Sequence, residues 1–359
     1  MGEAALGGVQ GVVPGPGQLR LGPGRGGRLV TAATIIDYDG LSCYTANLAA
    51  YLDGEFDAAD LISRSVRSAA RTDLPPPLLA FSHHRVRLER LPDGSRLRYR
   101  HASSAADALR AVADQLHQFG RVLILVDNRR LPWSPALPAG PSAPHWLLVD
   151  GAEGGDWRVR DEFAGLLPDG RQRPFAGRFS SSRLAEAMET PEWNEQQRMR
   201  NRLACGFPLA GADVPGWWWL ERTREPRPAQ RSAEETEALP GRWLEGERSA
   251  LTFLGDRLAR SAESAALHLD DCWALAGHHR FALRHRLTAA APGDPARPML
   301  AAAAERWAAL PRLLRYAVES AARGRPRPGI IRRAFADALA AQLALGQTDA
   351  DQPFPGDQT

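Results

Sequence analysis

Hydrophobic residues fall at two different spacings along this chain. In the first part they alternate with polar residues or form short continuous runs, as in strands. From about Asp213 they recur at three- and four-residue steps, as on helices. Residues 29–36 read as a β-like run leading into Asp37, Tyr38, Asp39, Gly40, Leu41, Ser42 and Cys43. Residues 44–52 then carry Leu48 and Leu52 at helical spacing, so that Cys43 opens a helix. Alternation through Val86, Leu88, Leu91, Leu97 and Tyr99 predicts a hairpin, and residues 105–119 a helix. Residues 122–126 are a continuous apolar run of the kind that fills a central strand. After a Pro-rich loop, residues 145–151 and 157–161 predict two strands joined by a turn, and residues 180–188 a short helix with three serines available as caps. Residues 232–287, 299–322 and 330–345 read as helices, the first two separated by a Pro/Gly breaker at 291–295.

The predicted organisation is a Gly/Pro-rich flexible arm over 1–28, an α+β domain over 29–205, a helical domain over 206–345 and a disordered tail over 346–359. The 359 residues are 44% apolar and 24% charged, which excludes disordered and collagen-like chains. No apolar run approaches the roughly 18 residues that a bilayer crossing needs. The first thirty residues place glycine and proline where an export signal needs an apolar core, so a cytoplasmic protein with no membrane partner is expected. All 45 basic residues are arginine, scattered among 42 acids. Because they form no basic run with interleaved aromatics, the net charge of +3 does not point to nucleic acid, and an acidic protein partner stays open. Cys43, Cys205 and Cys272 are too few and too far apart for a disulfide framework or a Cys-x-x-Cys metal site. Reduced thiols and no metal are expected.

A thiol is a useful nucleophile at neutral pH only when its thiolate is favoured. A helix N-terminus favours it, through the positive end of the helix dipole and its unpaired N–H groups. Cys43 is placed there. A histidine close by can donate a proton to a leaving group, and a third residue fixes the imidazole tautomer. His145 and Asp161 suit these roles: if the two strands are antiparallel neighbours, Asp161 returns beside the start of the first, where His145 stands.

These pieces together resemble the papain-like cysteine proteins, most closely the butirosin biosynthesis protein H group of acyltransferases. The resemblance is carried by residues 37–43 at a helix start and by the strand 122–127 running into Leu131, Pro132 and Trp133. His145 with Val149, Asp150 and Gly151, the strand from Trp157 to Asp161, and the helical end at 331–339 complete it. It spans about residues 30–345. It implies an α+β papain-like cysteine protease-type domain with an appended C-terminal helical domain, and a Cys43, His145, Asp161 triad. The implied activity is amide-forming acyl transfer in antibiotic biosynthesis. An aminoacyl group leaves the phosphopantetheine thioester of an acyl or peptidyl carrier protein and becomes an amide on a small-molecule amine, an amino sugar. A related role is the amide-forming condensation of lincosamide antibiotics. No cofactor is implied beyond the carrier's phosphopantetheine, and Asp37, Asp127 and Trp133 fall to substrate binding.

One departure from the family pattern concerns the oxyanion. Papain-like hydrolases commonly place Gln six residues before the nucleophile, where this chain has Asp37, and an ionised carboxylate cannot donate a hydrogen bond. The Cys43 N–H remains, with the Tyr38 hydroxyl as the second expected donor. Losing one donor typically costs about 10²–10³ in rate, which a thioester tolerates better than a peptide.

Plainer readings stand beside these. Asp161 is equally a turn residue after a strand, and Asp127 with Asn128 is ordinary turn chemistry at a strand end. His268, Asp270, Asp271, Cys272, His278 and His279 are the densest set of metal-type ligands, but no recognised zinc spacing appears among them. His83 and His84 read as a solvated pair. Trp217, Trp218 and Trp219 read as a ligand wall or as core at a domain junction. A cysteine hydrolase and a non-catalytic binding module are the rival functions.

Overall fold

A computed structural model describes residues 38–84, 91–137, 140–167, 170–204, 214–224 and 241–349. The β-like run at 29–36, the arm at 1–28, Asp37, Cys205 and the last ten residues of the expected tail lie outside them, as do the side chains of His83 and His84. The described chain is mixed α+β with a helical C-terminal region. Its helices are α1 (Cys43–Leu52), α2 (Ala58–Ser65), α3 (Ala105–Phe119), α4 (Ser181–Met188), α5 (Glu195–Ala204), α6 (Glu247–Arg260), α7 (Ala262–Leu267), α8 (Leu269–Ala289), α9 (Arg297–Ala322) and α10 (Pro328–Asp349). No helix among the described residues is long and apolar enough to cross a membrane.

The strands are β1 (Val66–Arg71), β2 (Phe81–His84), β3 (Ser95–Ala102), β4 (Val122–Asp127), β5 (Pro144–Glu153), β6 (Asp156–Asp161), β7 (Gly165–Leu167), β8 (Gly170–Gln172), β9 (Phe175–Ser180), β10 (Glu189–Thr190), β11 (Gly216–Arg224) and β12 (Trp243–Glu245). The main sheet is antiparallel throughout, in the order β10-β11-β4-β5-β6-β9, with β3 also paired to β11. β4 is buried at every position because both faces are covered. Val122, Ile124 and Val126 join Leu147, Val149 and Val159 in a core closed by Val112 of α3 and by Leu184 and Met188 of α4. On the opposite face α1 lies against β5, where the Tyr44 ring meets Trp146 edge-on at 5.4 Å.

The first arm of the expected hairpin, with Val86 and Leu88, lies outside the described residues, and its second arm, with Leu97 and Tyr99, is β3, paired with β11. One expectation is corrected. The helical domain expected over 206–345 contains a strand of the main sheet: β11 runs between β3 and β4 and carries Trp217, Trp218 and Trp219 into it, and among the described residues of that stretch the first helix is α6. The boundary expected at residue 205 therefore falls before a central strand, and the described residues belong to one unit beginning at Asp37. A second sheet, β12-β1-β2, carries Ala70 and Phe81 into the helical core, with Leu251 and Leu254 of α6, Leu275 of α8, Trp307 of α9 and Phe335 of α10.

α8 is covered on two sides, which explains its buried His278 and His279 as well as its buried Cys272 and Leu275. One side packs on α9. The other reaches the turn before α1, where the backbones of Gly277 and Gly40 meet without room for a side chain: a Cβ on Gly277 would lie 1.7 Å from the Gly40 carbonyl oxygen. Gly40 also has φ +99°, a conformation that favours glycine.

Candidate active site

The turn at Gly40 delivers the chain to α1, with the Leu41 N–H bonded to the Tyr38 carbonyl at 3.1 Å. Ser42 caps the helix: its Oγ accepts the Thr45 N–H at 3.2 Å. Cys43 is therefore the first helical residue, at the end where N–H groups lack intrahelical acceptors, and no acidic residue in the first turn offsets the dipole. It is half-buried and carries a free thiol.

The strand pairing expected from the sequence is formed. β5 and β6 run antiparallel with Leu148 opposite Arg160, and this brings His145 and Asp161 together at one end of the ladder. His145 Nε2–H donates to Asp161 Oδ2 at 2.8 Å, which leaves Nδ1 as the ring nitrogen not used by the acid. The three residues named from sequence thus form one contiguous set.

Asp161 is fully buried, and it is held as an anion by more than the histidine. Trp133 Nε1–H and Gln172 Nε2–H donate to Oδ2 at 2.8 and 2.7 Å, and the Phe163 N–H donates to Oδ1 at 3.0 Å. Asn47, one helical turn after Cys43, ties the set to α1. Its Nδ2 donates to the Cys43 and Trp146 carbonyls at 2.9 Å each and to Asp161 Oδ1 at 3.3 Å, while its Oδ1 accepts the Glu162 N–H.

Electrostatics follow from this packing. Burial works against a charge on His145, but the Asp161 carboxylate and the Cys43 sulfur outweigh it and push the imidazole up to about 10. Burial likewise opposes ionisation of Asp161, yet His145, Trp133 and the Phe163 N–H hold its carboxyl below the usual carboxylate range. At neutral pH the pair is imidazolium and carboxylate. The imidazolium carries a proton that a leaving group beside Cys43 can take.

Cys43 and His145 open onto a cavity of about 230 Å³. Leu79, Phe81, Trp146, Phe163 and Trp273 give it apolar walls, while Gln196, Gln197 and Asn201 of α5 and Asp270 and Asp271 of α8 make one side polar. The C-terminal helices therefore supply part of the wall.

Several expected site residues sit elsewhere. Trp133 does not line the cavity: its indole is stacked on Phe175 at 3.7 Å and spends its N–H on Asp161, so it positions the acid instead of touching a ligand. Asp127 is buried behind the site, where it accepts the Arg129 N–H at 3.0 Å and pairs with the Arg129 guanidinium. That is the turn chemistry of its plainer reading. Tyr38 does not line the cavity either. Its half-buried phenol is pushed up to about 12 by burial and by Asp53 and Glu162 and so keeps its proton. Asp37 is outside the described residues.

The candidate metal ligands serve separate bonds. His268 Nδ1 bonds Asp271 at 2.8 Å, His278 Nε2 bonds Thr45 Oγ1 at 2.9 Å and His279 Nε2 bonds Ser68 Oγ at 2.9 Å. Among the described residues, no group of three or more His, Cys, Asp or Glu is placed to hold a metal ion.

Asn47, Gln172 and the α5 amides were missed by sequence reasoning. Asn47 carries one legible signal, a polar residue one turn after Cys43 on an otherwise apolar helix. In comparison with known proteins, the chain matches no family model and no curated protein.

Proposed function

We propose that the chain is a papain-like amide-forming acyltransferase of natural-product biosynthesis, using Cys43, His145 and Asp161 to move an acyl group from a carrier-protein thioester to an amine. The observation that carries this reading is Cys43 at the first position of α1, lining one cavity with the His145 imidazole that a buried carboxylate holds. The Cys43 thiolate attacks the thioester carbonyl, and the pantetheine sulfur leaves as the thiol with the proton from the His145 imidazolium. An acceptor amine then attacks the acyl-cysteine, His145 takes a proton from its nitrogen, and the Cys43 sulfur is released as the amide forms. Asp161 stays ionised throughout and keeps the ring oriented.

Two features support transfer over hydrolysis. The walls around Cys43 are largely apolar, which favours a bound amine over water as the second nucleophile. Asp37 in place of an oxyanion-binding amide also fits a reactive thioester better than a peptide. The donor is read as an acyl or peptidyl carrier protein, acidic around its phosphopantetheine and attracted by arginines, and the acceptor as an amino sugar.

The test is incubation with an aminoacyl-pantetheine thioester, with and without glucosamine, followed by mass spectrometry. The expected result is a Cys43-linked acyl adduct that amine discharges as amide, absent in Cys43→Ala and strongly reduced in His145→Ala. Release of free acid at the same rate with or without amine would make the protein a hydrolase. Retention of in-cell function by Cys43→Ala would make it a binding module.

A further inference from the structure

The α5 part of the cavity's polar wall is unusual in what it leaves unpaired. Gln196 Oε1, Gln197 Oε1 and Asn201 Oδ1 are buried and have no hydrogen-bond partner among the described residues. All three side chains are at least nine-tenths buried, at 6, 9 and 1% exposure. Asn201 has its nitrogen end tied to the protein: Nδ2 donates to the Tyr99 hydroxyl at 3.1 Å, which fixes that amide and leaves its oxygen as the free end. Gln196 Nε2 lies 3.3 Å from His268 Nδ1, a nitrogen already bonded to Asp271. Gln197 and Asn201 are one turn apart, so their amides share one face of the helix. On β5, the buried Trp146 Nε1–H, whose residue also lines the cavity, lacks an acceptor as well.

Buried polar groups are rarely left unpaired, and a set of them on one cavity wall is what a ligand-binding surface looks like. The chemistry selects the ligand. Amide oxygens accept hydrogen bonds, so the occupant must donate several. Arg200, the one guanidinium on the lining, is closed by both Asp271 oxygens at 2.7 and 3.1 Å, and with Asp270 alongside, this wall is hostile to a phosphate or carboxylate. Phe163, Trp146 and Trp273 offer apolar faces to the carbon side of the same molecule.

We propose that Gln196, Gln197 and Asn201 form the subsite for a hydroxyl-bearing ring, bound through its O–H and N–H donors with its carbon face on the aromatic walls. Naming it the second substrate rests on the acyl-transfer reading; the binding site itself does not.

The test is calorimetric titration of the Cys43→Ala protein with three probes: glucosamine, glucose and cyclohexylamine. Glucosamine should bind most tightly, glucose more weakly and cyclohexylamine least. Gln197→Leu and Asn201→Leu, added separately, should each weaken glucosamine about threefold to tenfold, the value of one neutral hydrogen bond. Gln197→Glu and Asn201→Asp keep an acceptor oxygen and should retain binding, which guards against a variant that merely misfolds. Cyclohexylamine binding as tightly as glucosamine, glucosamine failing to bind, or leucine variants binding it unchanged would each overturn the subsite. The two readings fail separately: sugar binding without acyl transfer leaves the subsite and removes the enzyme, whereas acyl transfer to glucosamine with KM unmoved by both leucine variants does the reverse.

Discussion

Replacing Gly277 with alanine puts a methyl group into the closest backbone contact near the candidate site. The new Cβ would stand 1.7 Å from the Gly40 oxygen, 2.3 Å from its carbonyl carbon and 2.7 Å from its Cα. All three atoms are backbone, so no side chain can swing aside. Restoring ordinary contact requires α8 and the Gly40 turn to separate by about 1.5 Å or more. That movement pulls at the 2.9 Å bond between His278 Nε2 and Thr45 Oγ1, and at a turn three residues ahead of Cys43. Overpacking of this kind costs about 1–3 kcal/mol of stability. Displacing a reacting group by about 1 Å costs on the order of 10²-fold in rate.

The assay is the urea midpoint together with the rate of iodoacetamide labelling at Cys43. Gly255→Ala is the control, because its Cβ would meet Phe335 Cβ at 2.9 Å, in the contact between α6 and α10. It should lower the midpoint and leave Cys43 labelling unchanged. A Gly277→Ala protein with wild-type midpoint and labelling would refute the argument. So would equal slowing of Cys43 by Gly255→Ala, because loss of stability alone would then explain both.

Two further outcomes follow from burial. In the native protein Cys43 should be alkylated well before Cys272, which is fully buried with its thiol pushed well up by burial and by Asp271; peptide mapping that finds Cys272 modified first removes the assignment. Acid should destabilise the fold through His278, lowered to about 4 by burial, and His279, lowered to about 3 by burial, His278 and Arg67. Both lie below the ordinary 6.5, so the unfolded chain binds their protons first. Their contribution is present above about pH 6.5 and is lost as pH falls through 4 and 3, at up to about 1.4 kcal/mol per pH unit for each. His145 is raised and loses nothing over that range. Urea titrations at pH 7 and pH 5 should show a smaller drop in His278→Gln and His279→Gln than in the wild type, and equal drops would contradict the assignment.

The sequence was informative where local pattern and geometry coincide. The 3.6-residue rhythm over residues 105–119 matches α3 to the residue, and the helix start read at Cys43 is the first residue of α1. The His145 and Asp161 pair was legible because a hairpin makes sequence separation into distance. Partners set by long-range packing were not legible. Alternation through Leu97 and Tyr99 marked that segment as extended, but it holds no information about its partner, β11. Trp217, Trp218 and Trp219 read as a junction because nothing local shows that β3 and β4 flank them. Trp133 was assigned to a ligand because its real partner, Asp161, lies 28 residues further on. The residues of α5 passed unnoticed, since a run of glutamine, arginine and asparagine looks like a solvated face until its burial is known.

The helical C-terminal region is bound up with the candidate site at three points, each requiring a particular residue. Gly277 lets α8 reach the turn at Gly40; His278 holds Thr45, whose Oγ1 in turn lies 3.0 Å from Ser42 Oγ, the cap of the Cys43 helix; and Asp270, Asp271 and Trp273 complete the cavity. The direction of each bond is fixed. His278 Nδ1–H donates to the Ala274 carbonyl, so Nε2 must accept the Thr45 O–H, and Thr45 Oγ1 must accept from Ser42. Protonating His278 would reverse the middle bond, and burial holds that ring neutral. A helix packed only through apolar contacts could slide along its neighbour at little cost, whereas this chain of oriented bonds has one register. The cap on the Cys43 helix is therefore set by a residue 236 positions away from it, which is why the pattern around Cys43 identifies a helix start but not what holds it in place.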